Sequence, residues 1–319
     1  MRGLQFAETL RFADALSKPS AAENDALISV GLAGICNTDL EIVRGYKSFH
    51  GVLGHEFVGT VVDCRQRDWL GKRVVGEINV TCGRCDQCQV GRSKHCRNRA
   101  VLGISGLDGA FAEFLTLPVE NLHRVPDELP DEEAVFVEPL AAAFQIVEQI
   151  HVWPGDRAAV LGDGKLGLLC AQVLAMSEAR VTLLSKHESK ADVARSLGLH
   201  TVIGADVSER EYDIVVEATG SPAGLQQSLE LVRPRGTIVL KTTVAEPMTV
   251  DLSRAAVDEI TIVGSRCGPF RRALAALSSG AVKVKPLISA RFPLHEGLEA
   301  MERASEPEIL KVLLEIGTP

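Results

Sequence analysis

The second half of the chain carries the pattern that most restricts the fold. From Arg157 onward, apolar runs rich in valine, isoleucine and leucine alternate with segments of helical period; the runs are RAAVLG, RVTLLS, HTVIG, YDIVVEATG, GTIVLKTT and EITIVGS. Apolar strands joined by helical crossovers form a parallel sheet covered on both faces. The pattern therefore predicts an α/β fold with a doubly wound sheet of the dinucleotide-binding type.

Three glycines follow the first of these runs and open the next predicted helix. They are Gly162, Gly164 and Gly167 in VLGDGKLGLL. In this motif the first glycine permits the turn, the second lets the backbone approach a pyrophosphate, and the third lets helix and strand pack closely. Because a helix N-terminus attracts anions, the motif predicts a dinucleotide site even in an acidic protein.

The end of the second strand bears on which dinucleotide is bound. Sheets of this type that bind NAD usually carry an acid there, about 20 residues after the glycines. This chain has Ser185 at that place, followed by Lys186 and His187, which could bind a 2′-phosphate. The predicted cofactor is NADP or NAD, with the basic residues favouring NADP and the nearby Glu188 leaving NAD open.

The first part of the chain has a different sequence pattern. Up to about residue 125, short β-like runs alternate with glycine and turn residues, which predicts a small barrel-like β domain with long loops. Residues 131–151 have helical period, and the tail reads as strand, helix and strand. We expect a first domain over 1–126, completed by 285–319, and a dinucleotide-binding domain over 127–284.

Four of the eight cysteines lie within fifteen residues. Cys82, Cys85, Cys88 and Cys96 have the spacing C-x2-C-x2-C-x7-C. Four thiolates satisfy tetrahedral zinc and leave no open position, so the spacing predicts a structural zinc site.

Charge and hydropathy exclude other classes. The 319-residue chain has a formal net charge of -8, whereas nucleic-acid binders usually present a basic face. No stretch approaches the roughly 20 apolar residues that a membrane span needs, and the N-terminus lacks the pattern of an export signal. We expect a cytoplasmic protein with neither nucleic acid nor membrane as a partner.

Five motifs occur in the order seen in one enzyme family. GICNTDLEI, GVLGHEFVGTV, CGRCDQCQVGRSKHC, VEPLAAA and the glycine motif resemble the zinc-dependent medium-chain alcohol and polyol dehydrogenases over nearly the whole chain. The resemblance implies a GroES-like β-barrel catalytic domain and a Rossmann dinucleotide-binding domain.

The resemblance also implies a second, catalytic zinc site. Its ligands would be Cys36, His55 and Glu138, a mixed set that leaves the fourth position to water or substrate. The acid implied at Glu138 is more typical of polyol, threonine and sugar dehydrogenases than of simple alcohol dehydrogenases. Glu56 matches an acid thought to approach the zinc during ligand exchange.

Two further residues would act beside this zinc. Thr38 matches the hydroxyl that passes the substrate proton outward, although Thr38 and Glu41 also fit a helix capping box. Asp39 could accept the free ring N–H of His55 and so fix its tautomer, or could merely be an acid at a helix start. Glu41 stands where many relatives have the histidine that completes the proton relay.

These residues together predict a reaction. It is hydride transfer between NAD(P) and a secondary alcohol, polyol or sugar hydroxyl, carried out by a homo-oligomer, either a dimer or a tetramer. The alternatives are a carbonyl reductase of the same family and a non-catalytic dinucleotide-binding sensor.

Overall fold

The computed structural model describes residues 1–46, 48–204, 210–243 and 249–317. The chain divides into two compact units, one formed by Met1–Glu138 with Ile288–Pro319 and the other by Pro139–Leu287. These divisions lie near the expected ones at 126 and 285. Within the described residues, no helix has both the length and the apolar character needed to cross a membrane.

The regular elements are numbered in chain order. The strands are β1 (Gly3–Phe6), β2 (Leu10–Ala13), β3 (Asp25–Gly34), β4 (Gly51–Val52), β5 (Glu56–Cys64), β6 (Arg73–Gly76), β7 (Asn79–Val80), β8 (Ala100–Leu102), β9 (Gly106–Leu107), β10 (Phe114–Pro118), β11 (Leu122–Arg124), β12 (Arg157–Leu161), β13 (Arg180–Ser185), β14 (His200–Ile203), β15 (Tyr212–Glu217), β16 (Val232–Leu240), β17 (Thr261–Gly264), β18 (Ile288–Pro293) and β19 (Lys311–Glu315). The α-helices are α1 (Asn37–Val43), α2 (Asp86–Gln89), α3 (Asp131–Ala134), α4 (Val137–Gln149), α5 (Lys165–Ala175), α6 (Glu188–Ser196), α7 (Gly224–Leu231), α8 (Ser253–Val257), α9 (Phe270–Ser278) and α10 (Gly297–Ala304).

The first unit is built around strand β3. Its sheet has the order β11-β6-β5-β3-β19-β18, with β10 also paired to β3. Strand β3 pairs antiparallel with both β5 and β19, so that Gly34 lies opposite Glu56 on one side and Leu313 on the other. The end of β3 and the starts of β5 and β19 therefore meet at one edge of the sheet.

The second unit contains a six-stranded sheet of order β14-β13-β12-β15-β16-β17. Every neighbouring pair in it is parallel. Strands β12 and β15 are buried because apolar residues fill both of their faces, alanine, valine and leucine in β12 and isoleucine and valine in β15, and α7 packs its leucines on the same core. The six strands predicted from the sequence are all present, and the glycine motif lies where β12 leads into α5.

Two local expectations were wrong. The helical segment at 131–151 is broken into α3 and α4, because Pro139 has no N–H to donate to the carbonyl of Val135. The capping box does not start at Thr38: Cys36 is the N-cap of α1, and the Asp39 carboxylate accepts the Cys36 N–H at 2.8 Å. An acid three residues after the cap accepts the backbone N–H of the cap residue; Asp39 does this for Cys36, as Glu41 would have done for Thr38.

Candidate functional site

The four clustered cysteines converge as their spacing predicts. The ligand atoms of Cys82, Cys85, Cys88 and Cys96 all lie within 4.8 Å of one another. The Sγ atoms of Cys85 and Cys88 and those of Cys82 and Cys96 are 3.5 Å apart, and those of Cys85 and Cys96 are 3.8 Å apart. Zinc–sulfur bonds of about 2.3 Å at tetrahedral angles place sulfur atoms about 3.8 Å apart, so this donor set fits a zinc ion.

Electrostatics in this cluster also favour a cation. Backbone hydrogen bonds from Arg84 and Cys85 lower the pKa of the Cys82 thiol to about 6. Desolvation and the adjacent thiols raise the pKa of Cys88 to about 12. Thiols this close cannot all ionise unless a positive charge lies among them, and zinc provides that charge.

A second group of metal-ligating side chains lies where β3, α1 and β5 meet. The ligand atoms of Cys36, His55 and Glu56 lie within 4.8 Å of one another. His55 and Glu56 are buried, and Cys36 is half-buried at the N-terminus of α1. Oε1 of Glu56 is buried without a hydrogen-bond partner in the described part of the chain. An unsatisfied carboxylate oxygen beside a thiol and an imidazole suits a bound metal ion.

Asp39 lies behind this group. Its carboxylate is fully buried; Oδ2 accepts the Cys36 N–H, and Oδ1 accepts the Gly54 N–H at 3.3 Å and lies 3.2 Å from Nδ1 of His55. Burial alone would lower the pKa of His55, but the negative charges of Asp39 and Cys36 raise it well above 6.5. The group as a whole therefore attracts positive charge.

Glu56 has a partner that the sequence analysis did not identify. Its Oε2 forms an ion pair with Nζ of Lys311, and both side chains are 0% exposed. Nζ also lies 3.4 Å from the carbonyl oxygen of Ile35 and 5.4 Å from the centre of the Phe136 ring. Gly34 leaves room for this pair, because a Cβ there would lie 2.7 Å from Oε2 of Glu56.

Three other predicted residues of this site, Thr38, Glu138 and Glu41, are not among the three clustered ligand atoms. Thr38 is half-buried, with Oγ1 3.7 Å from Sγ of Cys36. Glu138 is half-buried in the first turn of α4 and is not part of the group, whose acid is Glu56. Glu41, at the relay position, accepts a hydrogen bond from Arg44 at 2.8 Å.

The glycine motif has the geometry of a dinucleotide turn. Gly162 has φ +112°, a conformation that favours glycine, and a Cβ at Gly167 would lie 1.9 Å from the Gly162 carbonyl oxygen. A Cβ at Gly164, by contrast, would meet no heavy atom within 4 Å. Two glycines are thus required by packing, whereas Gly164 keeps open the space beside the helix N-terminus that a pyrophosphate would fill.

The loop after β13 is held by Asp163, the residue between the first two glycines. Ser185 is 3% exposed, and its hydroxyl donates to Oδ2 of Asp163 at 2.8 Å. The same oxygen accepts the backbone N–H groups of Lys186 and His187 at 2.9 and 3.1 Å. Lys186 itself is exposed. The predicted cofactor residues Ser185 and Lys186 therefore sit on one loop that the glycine turn fixes.

Sequence reasoning missed Lys311 and Asp163, although both carried a signal. Lys311 interrupts the apolar run ILKVLLEI, where a lysine inside a buried strand needs an acidic partner. Asp163 is a charged residue between two glycines of a phosphate-binding turn. In neither case could the pattern identify the partner, which comes from a distant part of the chain.

Comparison with known proteins identifies the family of the chain. The family described as "Alcohol dehydrogenase GroES-like domain" matches residues 22–127, and the one described as "Zinc-binding dehydrogenase" matches residues 166–279. D-arabinitol dehydrogenase 1 of Uromyces fabae is 30% identical, over 92% of this chain and 90% of its own.

Two solved structures resemble the whole chain. A putative zinc-binding dehydrogenase from Sinorhizobium meliloti 1021 bound to NADP is 29% identical, with a TM-score of 0.89 and 98% of each chain covered. An alcohol dehydrogenase from Escherichia coli CFT073 complexed with NADH is 25% identical, with a TM-score of 0.91 and 99% of each chain covered. The predicted pairing of a GroES-like domain with a Rossmann domain is confirmed, and the chain belongs to the zinc-dependent medium-chain dehydrogenase family of oxidoreductases.

Proposed function

We propose that this protein is a zinc-dependent, NAD(P)-linked dehydrogenase that acts on secondary alcohols, with polyols or sugars as the substrate class. The observation that carries the proposal is the group of Cys36, His55 and Glu56, which brings a thiol and an imidazole together beside a buried carboxylate. Protein ligands of mixed type are typical of catalytic rather than structural zinc.

The residues around this group have separable roles. A bound zinc ion supplies Lewis acidity, which lowers the pKa of a substrate hydroxyl or polarises a carbonyl. Cys36 and His55 would hold the metal, and Asp39 orients the imidazole from behind. Thr38, with its hydroxyl 3.7 Å from Sγ of Cys36, would take up the substrate proton while it releases its own hydroxyl proton toward solvent, and a bound nicotinamide would supply the hydride acceptor.

Two acids are candidates for the third zinc ligand. Glu138 is the one that the family resemblance implies, and Glu56 is the one that lies with Cys36 and His55. We assign the ligand role to Glu138 and the role of a nearby exchange group to Glu56, whose Oε2 is already paired with Lys311. Glu138→Gln should lower the zinc content by about one ion per chain, whereas Glu56→Gln should retain that ion. The reverse result would exchange the two assignments.

The substrate class rests on two observations. The acid at Glu138 is the ligand type of polyol-type relatives, and a relative that covers 92% of this chain is named for its action on D-arabinitol. We also propose a cytoplasmic homo-oligomer, either a dimer or a tetramer, which size-exclusion chromatography with light scattering would measure.

A panel of substrates tests the function. Pentitols, hexitols, aldoses, amino-alcohols and simple alcohols would be offered with NADP and with NAD, and the corresponding carbonyls with the reduced cofactors. We expect turnover of at least one polyol or sugar and loss of that turnover in Cys36→Ser. Zinc-loaded protein that turns over nothing in either direction would refute the proposal in favour of a dinucleotide-binding sensor.

A further inference from the structure

Asp163, which lies between the first two glycines of the turn, has contacts at both of its carboxylate oxygens. Besides Ser185 and the two backbone N–H groups, its Oδ2 lies 2.9 Å from Nδ1 of His187, and its Oδ1 lies 3.8 Å from Nζ of Lys190. Burial would raise the pKa of this carboxyl, but the hydrogen bonds from Ser185, Lys186 and His187 outweigh burial and lower it. Asp163 is therefore a fixed negative charge that binds the whole loop after β13.

The contacts leave cationic groups available around the loop. The side chain of Lys190 is 9% exposed, and its ammonium pairs with Oδ1 of Asp163 at 3.8 Å, an ion pair that is too long to be a hydrogen bond. Lys186 is exposed, and His187 uses only Nδ1 on Asp163 among the described contacts. At that distance the Lys190 ammonium keeps N–H donors for an anion bound at the loop.

Glu188, the acid near the loop that left NAD binding open, pairs with another residue. Glu188 accepts a hydrogen bond from Arg195 at 2.8 Å and is 67% exposed. Ser185, the predicted cofactor residue at the usual acid position, directs its hydroxyl to Asp163 at 2.8 Å and to the His187 carbonyl oxygen at 3.1 Å. The side chains that remain to meet a nucleotide ribose at this loop are those of Lys186 and Lys190 and the Nε2 side of His187.

We propose that Asp163 is a positioning residue for the adenosine 2′-phosphate of NADP, and that it acts by holding His187, Lys186 and the ammonium of Lys190 around that phosphate. Nδ1 of His187 faces the carboxylate of Asp163, which leaves Nε2 to face the phosphate. Ser185 fixes the loop and is not a phosphate ligand. The inference rests on the proposed function only in taking a nicotinamide dinucleotide as the ligand.

Repulsion between Asp163 and the phosphate is the main argument against this role. Oδ2 faces four donors and Oδ1 faces Lys190, so both oxygens are turned toward positive or donor groups. Without the carboxylate, two backbone donors, one hydroxyl and one imidazole would lose their common acceptor. The loss of order in the loop should therefore outweigh the relief of repulsion.

Calorimetric titration of the full-length, zinc-loaded protein with adenosine 2′,5′-bisphosphate and with 5′-AMP measures the role without turnover. Wild type should bind the bisphosphate at least about tenfold more tightly, and Asp163→Asn should reduce that ratio by about tenfold, the effect expected for a charge-assisted hydrogen bond. His187→Gln should reduce the ratio as well, and Ser185→Ala should change it less. The matched control is Asp213→Asn, since Asp213 also accepts a backbone N–H, from Arg157, and pairs with Arg233.

The outcomes separate this inference from the proposed function. An unchanged or increased ratio in Asp163→Asn, or equal binding of both nucleotides by wild type, would overturn the role of Asp163. If Asp163→Asn unfolds, the ratio in His187→Gln decides in the same way. A protein that selects the bisphosphate but oxidises no alcohol would refute the proposed function and leave this inference standing.

Discussion

Replacing Lys311 by methionine should destabilise the protein more than any surface lysine substitution. The change removes a cation that is 0% exposed and leaves the Glu56 carboxylate buried without its partner. Breaking a buried ion pair from one side costs about 3–5 kcal/mol, because the remaining charge has neither water nor a counterion. Methionine keeps most of the apolar stem of the lysine and loses the ammonium that lies 5.4 Å from the centre of the Phe136 ring, so the loss should be electrostatic.

Urea unfolding of zinc-loaded protein, followed by circular dichroism, measures this free energy. Lys72→Met is the matched control, since Lys72 is exposed, and it should change the free energy of unfolding by less than about 0.5 kcal/mol. The double variant Lys311→Met with Glu56→Gln should be more stable than Lys311→Met alone, because no uncompensated charge remains. If Lys311→Met loses less than about 1 kcal/mol, or if the double variant is the less stable one, the reasoning is refuted.

Further expectations concern the glycine turn, the cysteine cluster and acid pH. Gly164→Ala should keep the urea unfolding midpoint but weaken NADP binding measured by calorimetry. Gly167→Ala should lower the unfolding midpoint itself, because its Cβ would lie 1.9 Å from a carbonyl oxygen. Equal unfolding midpoints in the two variants would contradict this distinction. Cys96→Ser should lower the zinc content by about one ion per chain and reduce thermal stability, and unchanged zinc by mass spectrometry would contradict a structural site. The folded-state pKa of Asp163 is lowered, so its contribution is complete above the unfolded value of about 3.9 and is lost as pH falls through the folded value. Urea midpoints measured from neutral pH down to pH 3 should therefore decline less steeply in Asp163→Asn than in wild type, and parallel curves would count against the assignment.

Regular periodicity explains why much of the fold could be predicted. Each strand of the second unit contains a run of apolar residues, and the crossovers have helical period, so the local pattern and the parallel sheet agree. The cysteine cluster was equally predictable, since its ligands lie on one short loop whose spacing alone brings them together. In both cases the information lies within a few neighbouring residues.

The remaining features depend on contacts between distant segments. Lys311 is 255 residues from Glu56, and the two meet only because β19 and β5 both pair with β3. Asp163 reaches the loop after β13 because β12 and β13 are parallel neighbours. The capping box was misplaced for a local reason: Thr38 with Glu41 and Cys36 with Asp39 have the same spacing, and the bond from the Cys36 N–H to Asp39 selects Cys36 as the N-cap.

Zinc content measured together with turnover tests the central claim most directly. Inductively coupled plasma mass spectrometry should find about two zinc ions per chain in wild type and about one in Cys36→Ser, which should also lose polyol-dependent reduction of NADP or NAD. If Cys36→Ser keeps the zinc content and the turnover of wild type, Cys36 and His55 do not hold a catalytic zinc ion.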